Sequence, residues 1–326
     1  MQDETPFESR LPLAELQDQL NALRTAIQQV IVGQDRMIDQ LMVGLLSEGH
    51  LLLEGVPGIA KTLTAKLLAA HLGLPFGRIQ FTPDLMPSDI LGTSMFDMKK
   101  GEFVFKEGPI FTQMLVVDEI NRAPAKTQSA LFEVMEERQV TIDGVTYPMQ
   151  RPFMVVATQN PVEHEGTYRL PEAQLDRFLF KVIIDYPTPE QEVQILERAQ
   201  SGQLQVDLTH LKPAFDAATL QQCQQWVQGV FVEPRLLQYM ADIVVATRNH
   251  PFLSLGASPR ASLALLKAAK GFAALQGRDF VSPEDVREAV IPVLNHRIAV
   301  TPEREMEGLA TADIIAQIVQ NIEVPR

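Results

Sequence analysis

The segment Gly55-Val56-Pro57-Gly58-Ile59-Ala60-Lys61-Thr62 constrains this chain more than any other stretch. It follows the apolar run Leu51-Leu52-Leu53 and opens Leu63-Thr64-Ala65-Lys66-Leu67-Leu68, which reads as a helix. Strand, glycine loop, Lys-Thr and helix form the context that a nucleoside-triphosphate phosphate loop needs. A tight loop turns several backbone N–H groups toward the phosphates, and the helix N-terminus adds partial positive charge. In that reading Lys61 reaches the β- and γ-phosphates and the Thr62 hydroxyl ligates Mg²⁺. One position departs from G-x-x-x-x-G-K-[ST]: Ala60 stands where the second glycine is expected. The departure is mild if Ala60 has right-handed angles at the helix start, because only a positive φ demands glycine. The plain alternative is a glycine-containing strand-to-helix turn.

A loop of this kind requires a parallel sheet behind it, and the sequence supplies one. Short apolar runs at Leu51–Leu53, Arg78–Phe81, Met114–Val117, Phe153–Ala157 and Phe180–Ile184 alternate with helical segments, which predicts an α/β domain. Ahead of it, residues 1–12 read as a frayed tail. Leu13, Leu16, Leu20, Leu23 and Ile27 then recur at amphipathic-helix spacing, and a further helical stretch runs to Ser47. After Tyr186-Pro187 the character changes. Thr188-Pro189-Glu190-Gln191 is a helix start, and cap-then-proline recurs at Ser258-Pro259, Ser282-Pro283 and Thr301-Pro302. The expected domains are 13–187, α/β, and 188–326, all helical. At 326 residues the length allows about two domains.

Two hairpins interrupt the α/β part. Asp143-Gly144 separates β-rich arms within Gln139–Tyr147, and Lys99-Lys100-Gly101 separates Ser94–Met98 from Glu102–Phe105. They either extend the sheet edge or project toward a partner or substrate.

Met114-Leu115-Val116-Val117-Asp118-Glu119 is an apolar strand ending in two carboxylates, the Walker B pattern. Phosphoryl transfer is mainly positioning and charge stabilisation. It therefore needs Asp118 in the Mg²⁺ shell and Glu119 to orient the attacking water. Phe153–Asn160 is another buried-type strand, and parallel strands deliver their C-terminal ends to one crevice. Asn160 there would meet the γ-phosphate or the water, unless it only forms a turn. Arg177, after Pro171–Asp176, is placed to reach a nucleotide on a neighbouring subunit or else makes a surface ion pair within Asp176-Arg177. Arg260 stands in the first turn of a helix, where a cation opposes the helix dipole. A phosphate ligand would explain it; a plain surface arginine is the alternative. The six histidines show no paired metal spacing and read as structural or surface groups, and Trp226 and Cys223 read as core positions.

These residues together resemble an AAA+ ATPase, and more narrowly the MoxR family. The form Gly-x-Pro-Gly-x-Ala-Lys-Thr is similar to that family's own phosphate loop. Arg78–Asp89, Gly108–Phe111, Asp118–Ala123, Ala157–Pro161 and Leu170–Phe178 carry the same likeness, which spans about residues 25–300. Arg169 and Asn295 depart from it, where proline and arginine are expected. The resemblance implies an AAA+ P-loop core with a helix-2 insert at 94–105 and a pre-sensor-1 hairpin at 139–147, both facing a central pore. It implies ATP and Mg²⁺ as ligands, with the loop from Gly55 to Leu63 and Asp118 holding the nucleotide and Thr62 and Asp118 the metal. It makes Asn160 sensor 1, Arg177 an arginine finger and Arg260 sensor 2, and puts Ile31, Val32, Gly33 and Gln34 near the adenine. It further implies a homo-oligomeric ring, usually a hexamer, a partner with a von Willebrand factor A domain, and chaperone-like maturation of a client protein complex or metal-cofactor insertion into it.

Composition bounds the competing readings. Net charge is −13, which argues against nucleic acid as the main partner. A DNA-translocating motor is therefore the weaker rival, with Lys99-Lys100 as its support. A nucleotide-dependent oligomeric scaffold is the other. No apolar run approaches the ~20 residues needed to span a bilayer. The acidic, polar start lacks the character of a signal peptide, and the single Cys223 gives no sign of an oxidising compartment. The expected location is the cytoplasm, without membrane insertion.

Overall fold

The computed structural model describes residues 12–56, 58–99, 101–160, 168, 170–202 and 217–325. Pro57, Lys100, His164, Arg169 and most of the expected N-terminal tail lie outside the described residues. The chain divides into two compact units, one of Leu23–Gln221 and one of Met1–Ala22 with Gln222–Arg326.

The first unit is built on five parallel strands: β1 (His50–Gly55), β2 (Phe76–Gln80), β5 (Met114–Asp118), β8 (Met154–Gln159) and β9 (Phe178–Ile184). Their order across the sheet is β2-β5-β8-β1-β9. All five apolar runs of the sequence are therefore strands of one sheet. The apolar runs of the three inner strands, β5, β8 and β1, do not alternate because both faces are covered: Leu51, Leu52, Leu53, Leu115, Val116, Val117, Val155 and Val156 are fully buried. The register aligns the strand ends, with Gln80 opposite Asp118, Glu54 opposite Gln159 and Gly55 opposite Ile184.

Helices α1 (Leu13–Gln28) and α2 (Asp35–Leu46) precede the sheet, α3 (Lys61–His71), α4 (Pro87–Leu91), α5 (Ala125–Glu137) and α6 (Glu172–Leu175) run between its strands, and α7 (Pro189–Gln200) follows it; the division between the units falls within α1. Helix α5 packs Leu131, Phe132 and Met135 into the core formed by Leu115, Val155 and Phe178. His50 ties the layers together. Its Nδ1 accepts from the Val155 N–H at 2.9 Å, and its Nε2 lies 3.1 Å from the Met135 carbonyl. That is the structural role expected of it.

The hairpins form at β3 (Gly92–Asp97) with β4 (Glu102–Glu107), and at β6 (Gln139–Ile142) with β7 (Val145–Pro148). Each is a separate two-stranded sheet, so neither extends the edge of the five-stranded one. The Asp143-Gly144 turn has positive φ at both residues (50° and 81°), as a two-residue hairpin loop needs.

Helix α7 starts with the capping box read from the sequence: the Thr188 N–H donates to Gln191 Oε1 at 2.9 Å, and Thr188 Oγ1 accepts from the Gln191 N–H at 3.4 Å. The first unit nevertheless runs past the boundary expected at 187/188. Arg198 Nη1 donates to the carbonyls of Gln28 and Gln29 at 2.9 and 2.8 Å, which anchors α7 to the segment before the sheet.

The second unit holds α8 (Ala217–Gly229, which starts in the first unit), α9 (Pro234–Arg248), α10 (Pro259–Leu275), α11 (Pro283–Leu294), α12 (Pro302–Met306) and α13 (Thr311–Asn321). Ser258, Ser282 and Thr301 are the N-cap residues of α10, α11 and α12, each followed by its proline. One departure from an all-helical reading is a short antiparallel ladder, β10 (Leu253–Leu255) with β11 (Ala299–Val300). Strands of two and three residues leave no alternation to read. Among the described residues no helix is long and apolar enough to cross a membrane.

Candidate nucleotide site

The site sits where the sheet's C-terminal edge meets the start of α3. Gly55 ends β1, the loop turns, and α3 begins at Lys61. Gly58 has φ +89°, a conformation open to glycine, with free space where a Cβ would stand. Ala60 has φ +60° and ψ 21°, so it is left-handed. The right-handed backbone that would have made its departure harmless is absent. For an L-residue that geometry costs roughly 1–2 kcal/mol. The turn is held from within the helix, since both the backbone N–H and the hydroxyl of Thr64 donate to the Ala60 carbonyl at 2.9 Å.

Lys61 Nζ donates to the Gly55 carbonyl at 2.6 Å and to the Gln159 carbonyl at 3.4 Å, so the ammonium stays inside the curve of the loop. Beneath it, Glu54 joins three strands, pairing with Lys181 Nζ at 2.9 Å and accepting from the Gln159 side chain. Ile59 is buried, Val56 half-buried, and Leu63 exposed at the rim.

Asp118 ends β5 beside this loop, and both of its carboxylate oxygens are hydrogen-bonded. Its Oδ1 accepts from the Thr62 hydroxyl at 2.9 Å and from the Thr158 hydroxyl at 3.1 Å. Its Oδ2 accepts from Arg78 Nε at 2.7 Å. Glu119 follows in a left-handed conformation (φ 56°, ψ 50°) that turns the chain off the strand. Its N–H donates to the Thr158 hydroxyl at 3.1 Å, and its carboxylate pairs with Arg122 Nε at 2.8 Å. Asn160, buried at the end of β8, completes the wall.

One pocket collects Gly58, Ala60, Lys61, Thr62, Leu63, Asp118, Glu119 and Asn160 from the sequence reading. It adds Arg78, Gln80, Thr158 and Gln159, which sequence reasoning left without roles. Arg78 and Thr158 fall within segments that carry the family likeness, but nothing in the sequence assigns either a role. Only the strand order places them against Asp118.

Val32 and Gly33 are outside that pocket wall. They lie in the turn before α2, where Gln34 Nε2 donates to the Asp185 carbonyl at 3.4 Å and the Gln191 side chain packs on Gly33 (φ +73°). Because Ile184 pairs with Gly55, this turn lies near the start of the loop. Arg177 is also outside the pocket wall. It rests on α5, with Nε 3.4 Å from Glu136 and Nη1 donating to the Phe132 carbonyl. Arg260 stands in the first turn of α10, in the second unit. Cys223 is buried, and burial pushes its thiol up to about 11, which makes it a poor nucleophile. Trp226 is half-buried rather than a full core position.

The donor set suits a hard cation. A threonine hydroxyl and a carboxylate meet at the start of α3, and Mg²⁺ binds through one or two carboxylates plus substrate phosphates rather than an all-protein cage. Among the described residues no cluster of three or more His, Cys, Asp or Glu offers such a cage.

Comparison with known proteins agrees with this geometry. The family model for the ATPase family associated with various cellular activities (AAA) matches residues 50–180, and that for the AAA lid domain matches residues 245–318. The chain is 45% identical to the chaperone MoxR1 of Mycobacterium tuberculosis, over 92% of this chain and 81% of that protein. It is 31% identical to the protein MoxR of Paracoccus denitrificans, over 89% and 92%. A crystal structure from Cytophaga hutchinsonii, of a protein designated an ATPase, superposes with a TM-score of 0.88 at 40% identity, covering 96% of this chain and 97% of that one.

Proposed function

The chain belongs to the MoxR family of AAA+ ATPases, and from that premise we propose that it couples Mg²⁺-dependent ATP hydrolysis to the maturation or remodelling of a client protein complex. The observation that carries the reading is the convergence of Lys61, Thr62, Asp118, Glu119 and Asn160 on one pocket. In it the loop N–H groups and Lys61 bind the phosphates. Thr62 and Asp118 hold Mg²⁺, which when bound offsets charge on the phosphate oxygens. Glu119 orients the attacking water, and Asn160 fixes the water or a phosphate oxygen. Val32 and Gly33 border the adenine, Arg177 serves a neighbouring chain's nucleotide, and Arg260 answers the nucleotide from the lid.

The working form in this reading is a homo-oligomeric ring, a hexamer, acting in the cytoplasm with a von Willebrand factor A domain partner that supplies the client. Metal-cofactor insertion is one such task. The two hairpins face the central pore. Their separation from the main sheet and the exposed Met95, Phe96, Met98 and Phe103 support a contacting role.

Two variants test the assignment. Lys61→Ala is expected to lose nucleotide binding. Glu119→Gln is expected to keep it while hydrolysis falls about 100-fold or more, the scale of a positioned acid–base group. Wild-type turnover in Glu119→Gln would remove Glu119 from the reaction. A pull-down with Glu119→Gln in ATP then tests the partner, and recovery of no von Willebrand factor A protein would count against that part.

A further inference from the structure

We propose that Arg78 is the positioning residue of the metal site: it fixes the Asp118 carboxylate so that Oδ1, not Oδ2, is presented beside Thr62. This rests on the reading of Asp118 as a Mg²⁺-shell residue. Each oxygen of Asp118 has its own partners. Oδ1 takes two hydroxyls, Thr62 at 2.9 Å and Thr158 at 3.1 Å, while Oδ2 takes Arg78 Nε at 2.7 Å. A carboxylate gripped on one side by hydroxyls and on the other by a guanidinium has no free rotation about its last torsion. Carboxylates at metal sites are held in this way by outer hydrogen bonds, and losing such a partner typically costs 10–100-fold in metal affinity.

Arg78 reaches Asp118 because of strand register. β2 and β5 run parallel with Gln80 opposite Asp118, and Arg78, two residues back, projects from the same face as Gln80. Both line the pocket. The Arg78 side chain is 57% exposed, against 9% for Asp118. An ion pair that open on one side contributes little to stability. The fold therefore does not depend on Arg78, whereas the orientation of a nearly buried carboxylate does.

The test uses the full chain carrying Glu119→Gln, so that a fluorescent ATP analogue is bound and not consumed. Its affinity is measured in EDTA and then across a Mg²⁺ titration. With affinity in EDTA taken as each variant's own baseline, Arg78→Gln is expected to raise the Mg²⁺ concentration for half-saturation about 10-fold. Arg78→Lys, which keeps the charge, recovers part of that loss. Asp118→Asn is the reference for the underlying reading. If Asp118→Asn shifts the Mg²⁺ response and Arg78→Gln leaves it unchanged, the Arg78 proposal alone fails. A half-saturation that falls in Arg78→Gln makes Arg78 a competitor of the metal and likewise overturns it. If Asp118→Asn changes nothing, the reading of Asp118 fails and this proposal with it. Loss of metal-free binding in both Arg78 variants makes the residue structural, which also overturns the assignment.

Discussion

Ala60 carries its methyl group at a strained backbone angle, φ +60°. Its left-handed backbone is a conformation for which glycine pays no steric penalty, yet the chain keeps an alanine there. Two terms decide the outcome of Ala60→Gly. Relief of the strain returns roughly 1–2 kcal/mol, and the freer unfolded chain takes back about 0.4–1 kcal/mol. The net expectation is a stability between that of the parent and about 1.6 kcal/mol above it, read from chemical denaturation. A clear loss would mean that the Cβ makes contacts worth more than its strain. Glu119 shares the left-handed geometry (φ 56°), and neither angle was legible in the sequence. The residue types at Lys61, Thr62, Asp118, Glu119 and Asn160 were legible, because phosphate and metal chemistry restricts which side chains serve. The partners of the two carboxylates were not. Arg78 and Asp118 stand 40 positions apart and meet only through sheet register, and Arg122 meets Glu119 only through a short 3₁₀ turn.

Elements with a strong local signal were read correctly for reasons of geometry. The runs of β1, β5 and β8 are buried on both sides and leave near-continuous hydrophobic stretches, whereas β2 and β9, at the sheet edges, keep polar residues such as Arg78, Gln80 and Lys181. The Asp-Gly turn and the Thr188 capping box each follow from a short-range backbone requirement. What local signals do not encode is how elements join. Phe105 of β4 stacks on Tyr147 of β7, with ring centroids 4.3 Å apart and planes 27° from parallel. This stack links two hairpins that are otherwise separate sheets. Such an aromatic pair contributes about 0.5–1.5 kcal/mol beyond its burial. A two-stranded hairpin is only marginally stable alone, so this link should set how firmly the pair is held. Tyr147→Ala is therefore expected to speed amide hydrogen exchange in Gly92–Glu107 severalfold while exchange in β1, β5 and β8 stays unchanged. Equal acceleration throughout would show that Tyr147 supports the whole unit, and no acceleration would show that the stack carries no weight.

For the whole molecule, charge and assembly matter more than any single contact. A net charge of −13 disfavours a polyanionic track. Assembly is what Arg177 tests. In its own chain it rests on α5, paired with Glu136, while the phosphate pocket is walled by other residues. If it serves a neighbour's nucleotide, two inactive chains complement each other on mixing. Arg177→Ala keeps a working pocket and lacks the finger; Lys61→Ala keeps the finger and lacks the pocket. In a head-to-tail ring assembled at random from equal amounts, about one quarter of the interfaces join an intact pocket to an intact finger. ATP hydrolysis should therefore reappear on mixing, toward about a quarter of the wild-type rate if the sites act independently, and should vary with the mixing ratio as the product of the two fractions. The check is turnover across a series of ratios after disassembly and reassembly, with mixed rings confirmed by differently tagged chains. Stable mixed rings that stay inactive at every ratio would place Arg177 outside the neighbour's site and leave its pairing with Glu136 as its role.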